Sequence, residues 1–244
     1  TPLGTGGAVK FAEEHLTDRF FVLNSDIICS LNLKEMIDFH KKNNAVGTIS
    51  LWPVENVEEF GVADVKDNGN IIRFVEKPRK EDAPSDLINA GAYLLEPEVL
   101  DYIETGRLIS MEKEIFPQII DDTGKFYGFK FSGYWMDIGR IKSYLDIHQF
   151  LLDKNNLENY TGENNKIEGE IKKSTLGNNV YIGKNSVIKS SVILDNARIE
   201  ENSILSDCII GENGVIGEKS NLKYTVLGDN EKIKENSSFD NKII

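Results

Sequence analysis

Apolar positions in the first part of the chain alternate between helical and strand spacing. The stretch AVKFAEEHL places Val9, Phe11, Ala12 and Leu16 near one helical face. FFVLNSD then reads as a short buried strand running into a polar tip at Asn24, Ser25 and Asp26. Helical spacing returns at Leu33, Met36, Ile37 and His40, and VGTISLW follows as another strand. This strand–helix–strand order predicts a doubly wound, mostly parallel α/β sheet. Such sheets bind ligands at the carboxyl ends of their strands, so Asp26 is a site candidate on position alone.

Two further strand-like runs, GVADVK and NIIRFVEKP, flank Asp67-Asn68-Gly69, a hairpin signal because asparagine and glycine tolerate positive φ. LINAGAYLLE is the next strand, and Pro97 opens a helical turn at PEVLDYIE. In SMEKEIFPQII, Ser110 is a candidate helix cap, but Lys113 stands where a capping box would have Glu or Gln. KFYGFKF is a strand leading into SGYWMDIGR, IKSYLDIHQFLL an amphipathic helix, and DKNNLENYTGENN a polar linker.

Beyond Ile171 the period changes. Aliphatics recur at Leu176, Ile182, Ile188, Leu194, Ile199, Leu205, Ile210, Ile216, Leu222 and Leu227, in steps of five or six residues. Two places before each comes Ser174, Val180, Ser186, Val192, Ala197, Ser203, Cys208, Gly214, Ser220 or Thr225, nearly all small or β-branched. A period near six fits neither a helix face nor a hairpin sheet. It fits a left-handed parallel β-helix of hexapeptide repeats, aliphatics inside and small residues at the corners. The expected organisation is an α/β domain over 1–153, a linker over 154–166 and a β-helix over 167–244.

Composition narrows the function. The formal charge of −12 supplies no basic field to attract nucleic acid or an anionic membrane, so an anionic substrate needs a few cations focused in a cleft. Cys29 and Cys208 lack metal-ligand spacing and lie in apolar runs, as buried thiols of a reducing, cytoplasmic compartment would. No stretch has the apolar length of a membrane span. Taken singly, the polar motifs are open to bland readings. FVEKP, with Glu76 and Lys77, fits an exposed ion pair at a strand end, and NAG a strand whose glycine admits a close neighbour. In GYWMDIG, Asp137 is either a helix cap near Ile138 or a group awaiting a partner or metal.

Together and in order, LGTGGA, VLNSD, FGV, FVEKP, INAGAYLL, MEKEIFP and GYWMDIG resemble the sugar-nucleotide pyrophosphorylases, most closely the mannose-1-phosphate guanylyltransferases. The resemblance spans the whole chain, since many members carry a hexapeptide β-helix. It implies transfer of a nucleotidyl group from a nucleoside triphosphate to a sugar 1-phosphate, with GTP and mannose 1-phosphate as the expected pair. On the matching positions, Asp26 and Asp137 would hold Mg²⁺ and Lys77 would grip the sugar phosphate. Gly61, Glu76, Asn89 and Gly91 would face the sugar, and Gly4 and Thr5 the base. The family's opening strand and GxGTRL loop, with a later second lysine, have no counterpart in these 244 residues. The chain is therefore expected to be part of a longer or split enzyme and to turn over little by itself.

Three other readings remain in view. Glucose-1-phosphate uridylyl- and thymidylyltransferases share most of these motifs. A regulatory paralogue would not need Asp26, Lys77 and Asp137 together. An acyltransferase on the β-helix would want a histidine base, whereas His15, His40 and His148 all precede the repeats. The β-helix then serves assembly or regulation, with a homo-oligomer as the expected state.

Overall fold

Helix and strand alternate along the first half of the chain at nearly the places that periodicity requires. The computed structural model describes residues 2–244 and divides into two compact units after Met136. The first unit runs α1 (Gly4–Phe11), β1 (Phe20–Leu23), β2 (Ile27–Cys29), α2 (Leu33–Lys42), β3 (Gly47–Pro53), β4 (Gly61–Val65) and β5 (Ile71–Glu76). It continues with β6 (Leu87–Leu95), α3 (Phe116–Thr123) and β7 (Phe126–Lys130), and β8 (Trp135–Asp137) stands at the boundary.

The sheet is mixed, not mostly parallel. Its order is β5-β4-β6-β3-β7, with β1 also on β6, and β3–β7 is the one parallel pairing. The reason lies in β6, which is antiparallel to β1, β3 and β4. The expected crossover from β1 through α2 to β3 exists, yet Phe20 and Gly47 both face Leu95, so β6 lies between the two strands. Asn32 caps α2 by accepting from the Lys34 and Glu35 amides. That helix buries Met36 and His40. His40 is a satisfied core histidine, its Nδ1 at 2.8 Å from Thr48 Oγ1 and its Nε2 at 3.1 Å from Glu96, which also pairs with Arg19.

Two local expectations need correction. Helix α1 stops at Phe11, whose side chain is 83% exposed, so Phe11 does not share the inward face with Val9. Ser110 does cap a helix, accepting from Lys113 N at 3.2 Å, but the turn Met111–Ile115 is π-type. Its extra residue moves the returning carboxylate one place on: Glu114 Oε1, rather than residue 113, accepts from Ser110 N at 3.1 Å.

In the second unit, α4 (Ile141–Lys154) is followed by three five-stranded parallel sheets that wind into a β-solenoid. The first strand of the coil is Tyr160–Thr161, paired with Thr175–Leu176, inside the stretch expected to be linker. Helix α4 accompanies the coil: Gln149 donates to the Lys173 carbonyl at 2.7 Å and His148 Nδ1 lies 3.3 Å from Thr175 Oγ1. The register corrects one repeat. Leu176, Ile193, Ile210 and Leu227 stack in line, so the inward residue is Ile193, fully buried, and not the half-exposed Leu194. The steps then run six, six, five throughout, and each turn takes 17 residues.

The corners are also one residue earlier than the small residues. Left-handed φ values fall at Asn179, Asn196, Asn213 and Asn230, and again at Asn185 and Asn202, where asparagine is the side chain that best tolerates them. Their carboxamides bond from turn to turn, as in Asn179 to Asn196 at 3.1 Å and Asn213 to Asn230 at 3.0 Å. The buried serines that follow accept backbone amides of the next turn, as Ser174 Oγ does from Ser191 N and Ser186 Oγ from Ser203 N. Among the described residues no buried side-chain polar atom is left without a partner.

This register is testable by unfolding. Ile193→Ala should destabilise the coil by about 2–5 kcal/mol, because it empties a packed position. Leu194→Ala should cost about 1 kcal/mol or less. Denaturant titration of the two variants checks the order, and a reversed order would return Leu194 to the interior.

Candidate functional site

The site forms where two strands part along one edge of β6. Strand β1 runs beside Leu95 to Ala92, makes one more bond from Asn24 N to the Gly91 carbonyl (2.8 Å), and turns away. Strand β4 meets the same edge at Val62–Ile88 and runs off towards the other end. Between these departures Asn89, Ala90 and Gly91 lie at the fork of three strands. A crevice where neighbouring strands diverge is the usual ligand position in open sheets, here reached in a mixed one.

Each candidate residue has a structural reason to be where it is. Gly91 has φ +80, and a Cβ there would lie 3.0 Å from both Asn24 and Ile27, so glycine alone admits the turn after β1. Two residues past the anchored Asn24 comes Asp26, exposed in that turn and with no side-chain hydrogen bond or ion pair among the described residues. Gly61 faces Glu76 across β4 and β5, and a Cβ on it would enter the Phe74 ring and approach Glu76 Oε2 to 2.7 Å. Glu76, Gly61 and Asn89 therefore form a polar row across β5, β4 and β6.

Lys77 follows directly, exposed, with φ +49 in front of Pro78. A residue before proline is driven towards extended backbone, so this left-handed lysine stores roughly 1–3 kcal/mol of strain. Its amide is held by the Phe60 carbonyl at 3.0 Å. Phe60 packs edge-on to Trp135, whose indole donates to the Ala90 carbonyl at 3.0 Å. That chain of contacts ties Lys77 to the fork on β6.

Gly4 and Thr5 belong to the first turn of α1, which lies against the segment 107–111. Gly4 has φ +71, and a Cβ on it would meet the Ile109 carbonyl at 2.5 Å. Thr5 Oγ1 accepts from Met111 N at 2.9 Å and donates to Glu112 Oε2 at 2.9 Å. Glu112 Oε1 accepts from the buried Tyr93 hydroxyl at 3.2 Å, and that hydroxyl accepts from Asn89 Nδ2 at 2.8 Å. The first unit thus brings together Thr5, Gly61, Glu76, Lys77, Asn89, Gly91 and the Asp26 turn.

Asp137 lies in the second unit. It is not the cap of α4, whose N-cap is Arg140; its Oδ1 instead accepts from Gly139 N at 2.8 Å. The nearby His148, which precedes the repeats in sequence, touches the coil at Thr175 and stacks on Tyr144. Burial lowers its pKa, so the ring is packed rather than presented to a substrate.

Glu112 and Tyr93 were not singled out from sequence. The signal for Glu112 was present: the capping position it neighbours is filled by Ser110 and Glu114, which leaves its carboxylate unexplained. The electrostatics are uneven. Glu76 has its pKa raised, first by burial and then by the charge of Glu112, against the opposing pull of Lys77 and Lys113. Burial, with the Glu112 charge behind it, pushes the Tyr93 phenol above its ordinary range, so it stays a hydrogen-bond donor. No group of three or more His, Cys, Asp or Glu among the described residues is arranged to hold a metal by itself. An ion here would draw the rest of its shell from water and substrate oxygens, as Mg²⁺ commonly does.

A strand fork carrying a polar row and a strained lysine sits within a chain that belongs to the nucleotidyl transferase family, whose model matches residues 1–154. The GMPPB C-terminal domain matches residues 161–244, the coil. Among curated proteins the chain is 46% identical over 149 residues to a mannose-1-phosphate guanyltransferase of Candida albicans, covering 59% of this chain and 40% of that one. It is 42% identical over 172 residues to a probable mannose-1-phosphate guanylyltransferase 3 of Arabidopsis thaliana, covering 67% and 51%. A catalytic subunit beta of the same enzyme in Xenopus tropicalis is 45% identical over 148 residues. The matches thus span about half, or less, of the relatives' own lengths.

The raised pKa of Glu76 gives a signed expectation. Its stabilising protonated form is present below the ordinary carboxylate range and is lost as pH rises through the raised pKa. Glu76→Gln should therefore be more stable than the parent near neutral pH, with the gain vanishing as pH falls. Denaturant unfolding between pH 4 and 8 measures it (roughly the span over which such a carboxylate titrates). A variant less stable throughout would show that Glu76 is not paying for its burial.

Proposed function

We propose that the protein forms GDP-mannose and pyrophosphate from GTP and mannose 1-phosphate. The observation behind this reading is the row Glu76–Gly61–Asn89 at the fork of β6, in a chain similar to mannose-1-phosphate guanyltransferases. A carboxylate and a carboxamide suit sugar hydroxyls: Glu76 accepts from them and Asn89 both donates and accepts. Lys77, held in a strained backbone beside them, supplies the cation for the sugar phosphate in an otherwise acidic chain. The sugar phosphate oxygen attacks the α-phosphorus of GTP, the bond to the β-phosphate breaks, and pyrophosphate leaves. No covalent enzyme intermediate is needed, so the protein contributes positioning and charge.

Mg²⁺ is the metal in this proposal, with the Asp26 and Asp137 carboxylates as its protein ligands. When bound it would neutralise phosphate charge. Support comes from Asp26, an exposed carboxylate with no protein partner in the turn next to Gly91. Assembly as a homo-oligomer through the coil is part of the same proposal, supported by exposed Ile204 on one coil face. Placement in the cytoplasm is likewise proposed, supported by two free thiols. No helix among the described residues is long and apolar enough to cross a membrane.

A panel of nucleoside triphosphates against sugar 1-phosphates, read as pyrophosphate release from the full-length protein, tests the reading. GTP with mannose 1-phosphate should be the best pair, and a clear preference for UTP or dTTP with glucose 1-phosphate would replace it. Asp26→Asn and Asp137→Asn should each lower the Mg²⁺-dependent rate about a hundredfold or more with the fold intact. A near-normal rate in either would remove that carboxylate from the site.

A further inference from the structure

Glu112 makes three side-chain hydrogen bonds and none of them serves its own helix. Oε2 accepts from Thr5 Oγ1 at 2.9 Å and from Ser110 Oγ at 2.8 Å, and Oε1 accepts from Tyr93 Oη at 3.2 Å. The capping bonds of this turn are made by Ser110 Oγ to Lys113 N and by Glu114 to Ser110 N. All three partners of Glu112 are hydroxyls acting as donors, an arrangement that an acceptor-only carboxylate satisfies and a carboxamide does not. Its two oxygens also point to different segments, one to the first turn of α1 and the other to the middle of β6.

The consequence reaches Asn89. Its Nδ2 donates to Tyr93 and its Oδ1 accepts from Gly91 N at 3.0 Å, so the carboxamide is held at both ends. What it offers a ligand is one remaining N–H and one lone pair in a fixed direction. Tyr93 is buried against Phe116 and cannot hold that direction unless its hydroxyl has an acceptor behind it. Glu112 is that acceptor.

We propose that Glu112 is a positioning residue of the transfer site, fixing the sugar-facing Asn89 and the Thr5 turn in one frame and setting the charge beside Glu76. The role assigned to Asn89 rests on the functional reading above; the frame itself does not. The groups that face Glu76 are Glu112 and Lys113 from the π-turn, Tyr93 from β6 and the neighbouring Lys77. Removing the Glu112 charge leaves the two lysines unopposed, so Glu76 ionises at lower pH.

The test compares Glu112→Gln with Glu114→Gln in the full-length protein. Glu112→Gln should raise KM for mannose 1-phosphate about tenfold, the loss expected for a hydrogen bond to a charged group, with a smaller change in kcat. The acid limb of its kcat/KM profile should move to lower pH. Glu114→Gln loses only a cap bond and should lower Tm without moving KM or the acid limb. Two readouts need no turnover: the Glu76 carboxyl titration by carbon NMR, and amide exchange at Met111 and Gly91. In Glu112→Gln the titration midpoint should fall and both amides should exchange faster. If these hold while the parent makes no sugar nucleotide, the functional reading fails and the frame stands. If Glu112→Gln matches Glu114→Gln in every readout, the frame is wrong, whatever the parent transfers.

Discussion

The first unit depends on the backbone of one strand. β6 is nine residues long, eight of them buried, so its amides and carbonyls must find partners within the protein. Strand β3 takes one edge almost throughout. The other edge is shared by β1 at Ala92–Leu95 and β4 at Ile88, and no single strand could fill it while leaving an opening at Asn89–Gly91. The crevice is thus produced by how β6 is satisfied, and the mixed topology follows from the same constraint.

Core and site meet in Tyr93. Its ring lies 5.1 Å from that of Phe116, which also packs against Phe74 and Phe126, at the centre of the apolar cluster. Its hydroxyl stands between Asn89 and Glu112. An aromatic side chain with a polar tip can serve both, because the ring supplies buried area while the phenol keeps its partners. Packing precision around Phe116 therefore passes directly to the orientation of a polar group in the crevice.

The elements were legible in the sequence because each rests on local spacing: the α2 face through Met36 and His40, the Asp67–Gly69 turn, the six-residue rhythm of the coil. What depended on distant partners was not. The parallel sheet was expected from a strand–helix–strand order that says nothing of β6 entering between β1 and β3. In VIL, two aliphatics compete for one inward position, and stacking on Leu176 and Ile210 selects Ile193. The cap at Ser110 looked incomplete because a π-turn cannot be read from spacing. Of the site, the motif residues on β4, β5 and β6 could be named in advance, but Glu112 could not, since Thr5 bonds to it across 107 positions of sequence.

The 17-residue turn of the coil makes length itself a coded quantity. Every inward aliphatic, every left-handed asparagine and every bonded serine repeats at that interval. Adding or removing one whole turn would leave each remaining residue facing the same way, since each turn contacts chiefly its neighbours. Any other change in length would rotate all that follows, setting aliphatics at corners and asparagines in the core. Such a domain can grow or shrink only in whole units, and its present height records how many copies of one short segment have been retained.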